Sequence, residues 1–177
     1  MVILNKENIK IILVELEKRL LGSIGIKICI QQGSRSFENW VQVELCGILC
    51  ERLGYDINSI DVEEPNDIVI RENNEIKTAI EIKVICLGKN NQGDRKTHEK
   101  DSVKLKNGNQ TQKIILRVIY DMPGANIKRN WVDIRGALEN FLQMNIENQS
   151  HYPYEKSFKL GYNHGSFTNI YLYLNLW

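Results

Sequence analysis

Proline is scarce in this 177-residue chain, with only three, and histidine equally so. Few prolines, 42% hydrophobic residues and 25% charged residues leave no case for a disordered or low-complexity protein. No apolar run approaches the roughly 18 residues that a membrane span needs. The opening stretch MVILNKENIKIILVELEKRLLG is interrupted by Lys6, Glu7, Lys10 and Glu15, and no small-residue cleavage site follows it. It reads as an amphipathic helix, and the expected location is the cytoplasm. No internal repeat is evident. The four cysteines (Cys29, Cys46, Cys50, Cys86) lie in apolar contexts and read as reduced core residues. Cys46 and Cys50 are four apart, but no His or second Cys pair stands at zinc-ligand spacing. Charge of one sign is also missing, since the net charge is +1. The whole-chain balance does not by itself announce a nucleic-acid binder.

Local charge says more. Between Lys89 and Lys113 seven Lys and Arg residues stand against three Asp and Glu. This stretch fits either a phosphate-tracking face or a solvated surface. Arg95, Lys96, Lys100 and Lys104 are its candidate phosphate contacts.

The length suits one domain over residues 1–177. Apolar side chains at Ile9, Ile12, Leu13, Leu16 and Leu20 predict a helix over 6–21, with Gly22 as its stop. Ser36 is a candidate N-cap for a second helix that ends near Gly54, with Glu38 favourably placed in its first turn. NDIVIR and IKTAIEIKVI then read as a hairpin, with residues 57–63 as a further edge strand. The second half of the basic segment is a candidate helix. KIILRVIYD reads as a central strand, followed by a helix near 130–144 and strands near 154–160 and 166–175. This mixed order predicts an α/β fold, a central sheet flanked by helices.

Polar residues fall where a core is expected. Phe37, Trp40, Val41, Leu45 and Ile48 share one side of the second helix, with Glu44 in their midst. A carboxylate there must be neutralised, paired with a base such as Arg52, or bound to a cation. In TAIEIKVI the strand period of two sends Ile80, Ile82 and Val84 to one face and Glu81 and Lys83 to the other. A three-residue loop Asn73-Asn74-Glu75 sets Asp67 directly across from Glu81. A two-residue loop Asn73-Asn74 sets it across from Ile80 instead. Two carboxylates a few ångström apart repel unless a cation lies between them, and hard oxygen ligands suit Mg²⁺ or Mn²⁺. A metal with a neighbouring ammonium at Lys83 is equipment for phosphodiester hydrolysis. If Glu81 and Lys83 merely face water, none of this follows. His98, His151, His164, Trp40 and Trp131 read as surface or packing residues, as do Tyr171 and Tyr173.

Pro65-Asn66-Asp67, with Glu81-Ile82-Lys83 fourteen residues after the Asp, resembles the PD-(D/E)xK motif of the restriction-endonuclease-like nucleases. Asn66 stands between Pro and Asp, a departure from the motif's name. The resemblance covers roughly 37–120 and implies an α-β-β-β-α-β core, to which the N-terminal helix and the C-terminal strand pair are additions. It implies a Mg²⁺-dependent DNA endonuclease in which Asp67 and Glu81 hold the metal. Glu44, on the preceding helix, is then an additional acidic ligand or water-orienting group, and Lys83 stands at the attacking water. It also implies a homodimer that acts on nucleic acid and not on a membrane. HEKDSVKLKNG resembles the helix that follows the ExK strand in related families, with Asp101, Lys104 and Leu105 in the matching places. The competing expectation is a non-catalytic nucleic-acid-binding or assembly module of the same fold.

Overall fold

The computed structural model describes residues 4–32, 34–62, 67–87, 100–101, 103–105, 107–121, 152–161 and 167–176. The helix expected at 130–144, the three histidines and Trp131 lie outside them. Three helices open the chain. Helix α1 (Lys6–Gly22) starts at a capping box: Asn5 accepts from the backbone N–H of Glu7 and Asn8, while the Asn8 side chain accepts from Asn5 N–H. Helix α2 (Ile24–Gln32) is an element that the sequence pattern did not suggest, because Ile24, Ile26, Ile28 and Ile30 alternate as in a strand. Burial of Ile26 and Ile30, one helical turn apart, holds it as a helix and leaves Ile24 and Ile28 exposed. Helix α3 (Ser34–Leu53) buries Phe37, Val41, Leu45, Ile48 and Leu49. Gly54 follows with φ +71°, the left-handed conformation that favours glycine after a helix.

Glu44 is satisfied within this helical layer. Arg19 of α1 reaches Glu44 at 2.7 Å and Glu51 at 2.6 Å, tying the two helices together. Arg52, the base expected beside Glu44, pairs instead with Glu15 at 3.1 Å. Gly47 lies between the two glutamates, where a Cβ would stand 2.8 Å from Arg19 Nη1. The missing side chain makes room for the guanidinium, a packing reason for a glycine that otherwise weakens a helix interior.

A 3₁₀ turn at Ile57–Ser59 and strand β1 (Ile60–Asp61) stand where an edge strand was expected. Strands β2 (Ile68–Glu72) and β3 (Glu75–Leu87) follow, then β4 (Gln112–Asp121), β5 (Tyr152–Gly161) and β6 (Phe167–Leu176). They form one mixed sheet in the order β1-β2-β3-β4-β6-β5. Only β3 and β4 are parallel, so a crossover must join them, and the helical residues 100–101, 103–105 and 107 belong to it. On one face, Ile80, Ile82, Val84, Leu116, Val118 and Leu172 pack in a common core with the helices α1, α2 and α3. On the other, Leu105 of the crossover packs with Ala79 and Ile115. Helices therefore cover both faces of an α/β sheet. Among the described residues no helix is long and apolar enough to cross a membrane.

The β2–β3 turn combines the two loop alternatives in an unexpected way. Glu72 pairs with Glu75, so the loop is the two residues Asn73 and Asn74, with φ +52° and +65°. Both are positive, as a type I′ turn requires, and asparagine tolerates this conformation. That loop alone would shift Asp67 to Ile80. However, Ile70 pairs with Thr78 while Arg71 pairs with Ile76, leaving Lys77 as an extra residue in a β-bulge. The bulge restores the register Ile68↔Ile80, whose continuation sets Asp67 beside Glu81.

The turn predicts a stability pattern. Asn74→Gly should leave unfolding free energy unchanged or raise it, whereas Asn74→Val should lower it by about 1–2 kcal/mol, measured by urea denaturation. Equal stability of the two variants would refute the left-handed turn.

Candidate functional site

The site forms where β3 outruns β2. Strand β2 starts at Ile68 opposite Ile80, so farther along β3 the N–H groups on that side need acceptors from elsewhere. Two carboxylates supply them. Ile82 N–H donates to Asp67 Oδ2 at 2.6 Å, and Val84 N–H donates to Glu38 Oε2 at 3.3 Å. Asp67 precedes β2, and Glu38 lies near the start of α3. One turn on from Glu38, the Gln42 amide donates to the Asp67 carbonyl at 2.5 Å, fixing the chain as it enters β2.

Glu81 and Lys83 extend together from β3 on the face that Leu105 helps to cover. Lys83 Nζ lies 2.6 Å from Glu81 Oε1 and 2.9 Å from Asp101 Oδ2, the latter on the crossover. Glu81 is buried and Lys83 nearly so. Next to Lys83 on β4 stands Arg117, fully buried, bonded to Asn175 and 5.9 Å from the Tyr173 ring. Burial pushes Arg117 down to about 10. Tyr171 and Tyr173 are buried, as their reading as packing residues requires.

Among the described residues one ammonium thus faces four carboxylates: Glu38, Asp67, Glu81 and Asp101. Burial, reinforced by the Asp67 charge, pushes Glu81 up to about 7 against the pull of Lys83. Burial likewise raises Asp67, opposed by its Ile82 N–H bond and by Lys83, and raises Glu38, opposed by Lys83. Burial works against the Lys83 charge, yet Glu81 and Asp101 outweigh it and hold the ammonium above the ordinary lysine range. Among the described residues the site thus holds more carboxylates than cations, and a proton or a cation relieves that imbalance.

Of the residues read from sequence, Asp67, Glu81 and Lys83 converge here. Glu44 does not, because it is engaged with Arg19 in the helical layer; Glu38, six residues earlier, reaches the site in its place. Sequence reasoning treated Glu38 as a first-turn charge, and only the meeting of α3 with the free edge of β3 distinguishes it from Glu44. Lys100 and Lys104 are exposed on the crossover, while Arg95 and Lys96 lie outside the described residues.

Among the described residues no group of three or more His, Cys, Asp or Glu side chains is arranged to enclose a metal. The donor chemistry nevertheless fits a hard cation that keeps most of its waters, since Mg²⁺ commonly takes only one or two protein carboxylates. Glu81 Oε2 and Asp67 Oδ1 make no hydrogen bond to another described residue, so they are the oxygens such an ion would find.

The raised Glu81 makes stability depend on pH. Glu81 keeps its proton up to about 7 in the folded chain, against an ordinary value of 4.5. Between these values the folded state binds a proton that the unfolded chain has released, so stability should fall as pH rises through this window. The decline attributable to Glu81 should be about 3 kcal/mol, and Glu38 and Asp67 shift in the same sense. Urea denaturation from pH 4 to pH 8 should show this decline, reduced in Glu81→Gln; an equal decline in that variant would contradict the assignment. No protein-family model matches the chain, and searches of curated proteins and of solved structures return no significant match.

Proposed function

We propose that this chain is a metal-dependent phosphodiesterase that hydrolyses the nucleic-acid backbone, a DNA endonuclease of the PD-(D/E)xK type. The observation that carries this reading is the convergence of Asp67, Glu81 and Lys83 at the end of β2, with Glu38 beside them. Three antiparallel strands followed by a crossover and a parallel strand also agree with the α-β-β-β-α-β order of that fold.

In this reading Asp67 and Glu81 hold Mg²⁺, for which Mn²⁺ can substitute. The bound ion supplies Lewis acidity at a phosphoryl oxygen and a water of lowered pKa. Lys83 donates a hydrogen bond at the reaction centre, to the attacking water or to the oxygen on which negative charge develops. Glu38 takes the role that the resemblance gave to Glu44 and orients water by accepting its hydrogen bonds. Water oxygen forms a new bond to phosphorus as the bond to the leaving deoxyribose oxygen breaks; the attacking water gives up a proton to solvent, and the leaving oxygen takes one up from solvent. Lys100 and Lys104, with Arg95 and Lys96 from the same basic segment, contact phosphates. A homodimer, with one site for each strand, completes the proposal.

One feature favours the second reading, a non-catalytic nucleic-acid-binding or assembly module. Asp67 and Glu38 each have a structural task as acceptors for strand-edge N–H groups, which needs no cation. Cleavage of supercoiled, linear and single-stranded DNA in Mg²⁺, Mn²⁺ or EDTA separates the two. Asp67→Ala and Lys83→Ala should each lower metal-dependent cleavage at least about 100-fold. Glu38→Gln should lower it by more than about tenfold, and Glu44→Gln should leave it within about threefold of the parent. Salt-sensitive DNA binding without cutting under any condition would select the module instead.

A further inference from the structure

We propose that Asp101 is a positioning residue that keeps Lys83 at the reaction centre when Glu81 turns to a divalent cation, an inference that rests on the nuclease reading above. Lys83 has two carboxylate partners from separate elements: Glu81 two residues earlier on β3, and Asp101 on the crossover. Their tasks must diverge once a cation arrives. Glu81 is then drawn toward the ion, and a lysine held by Glu81 alone would have to compete with the ion for the same carboxylate. Asp101 supplies an anchor outside the proposed ligand pair, 2.9 Å from Nζ. Lys83 can thus stay beside the ion without displacing it from Glu81.

The crossover is built to hold that anchor. Asp101 and Leu105 are four residues apart on helical backbone and so share a face. Leu105 is 2% exposed and packed with Ala79 and Ile115 on the sheet face that carries Glu81 and Lys83. Core packing therefore sets the position of the Asp101 carboxylate. Lys100 and Lys104, also four apart, are both exposed. The segment that fixes Lys83 from within thus presents two cations outward.

The test is steady-state cleavage by the full chain as a function of DNA and Mn²⁺ concentration, for the parent, Asp101→Ala, Asp101→Asn and Asp101→Glu. Asp101→Ala should lower kcat about 10- to 100-fold with little change in KM for DNA, the scale expected when a reacting group loses its alignment. It should also bind Mn²⁺ more weakly in calorimetric titration of the DNA-free protein, because Lys83 then competes for Glu81. Asp101→Asn retains an acceptor without charge and should be intermediate, and Asp101→Glu should recover part of kcat. Asp101→Asn is close in size to the native residue and keeps the test valid if Asp101→Ala does not fold. Parental kcat and calorimetric Mn²⁺ affinity in Asp101→Asn, or a loss confined to KM, would overturn the positioning role while leaving the nuclease reading intact. Absence of cleavage by the parent in Mg²⁺ and in Mn²⁺ would overturn that reading and this inference with it.

Discussion

A backbone N–H at a strand edge needs an acceptor, and β3 presents two of them, at Ile82 and Val84, beyond the point where β2 begins. Much of the site follows from this requirement. Asp67 and Glu38 come from a loop and a helix remote from one another in sequence, and both are drawn to the same edge. The Asp67 carboxylate then acts on Glu81, and both Asp67 and Glu38 lie within the field of Lys83, which offsets only part of the accumulated charge. The raised Glu81 is a consequence of the fold, because the carboxylate is buried near another carboxylate. Structural satisfaction of β3 and the chemistry proposed for the site depend on the same side chains.

The helical layer on the opposite face makes this arrangement durable. Phe37 and Val41 of α3 are fully buried in the core shared with β3 and β4, and Phe37 packs against Tyr120 of β4 with ring centroids 5.6 Å apart. Glu38 and Gln42, which follow these two in sequence, are thereby set at the end of β2. Arg19 ties α1 to α3 through Glu44 and Glu51, so the carboxylate that seemed anomalous on the apolar face of α3 serves helix packing. A partly buried ion pair of this kind needs both partners, since removing one leaves the other charge uncompensated.

Parts of this were legible in the sequence because their signals are local. Strand alternation in TAIEIKVI set Glu81 and Lys83 on one face, and the apolar KIILRVIYD marked β4 as central. The helical spacing of Ile9, Ile12, Leu13, Leu16 and Leu20 marked α1. Other parts depend on contacts between distant residues. Alternating isoleucines concealed α2 until its packing was known. The alignment of Asp67 with Glu81 needed both a short loop and a bulge at Lys77, and hydrophobic pattern alone does not reveal a bulge. Glu44 stood out on the helical wheel, but its partner Arg19 lies on another helix, and Glu38 matters only because α3 crosses the free edge of β3. Asp101 stood out only as a match to the helix that follows the ExK strand in related families, while its partnership with Lys83 depends on the docking of Leu105.

The central claim, that the carboxylates at the end of β2 take up a divalent cation, is tested most directly by calorimetric titration of Mn²⁺ into the purified protein at pH 8, beside Asp67→Asn. The account predicts saturable binding that is lost in the variant and weakened at pH 6, where Glu81 retains its proton. Absence of binding at pH 8, or binding unchanged by Asp67→Asn, would contradict it.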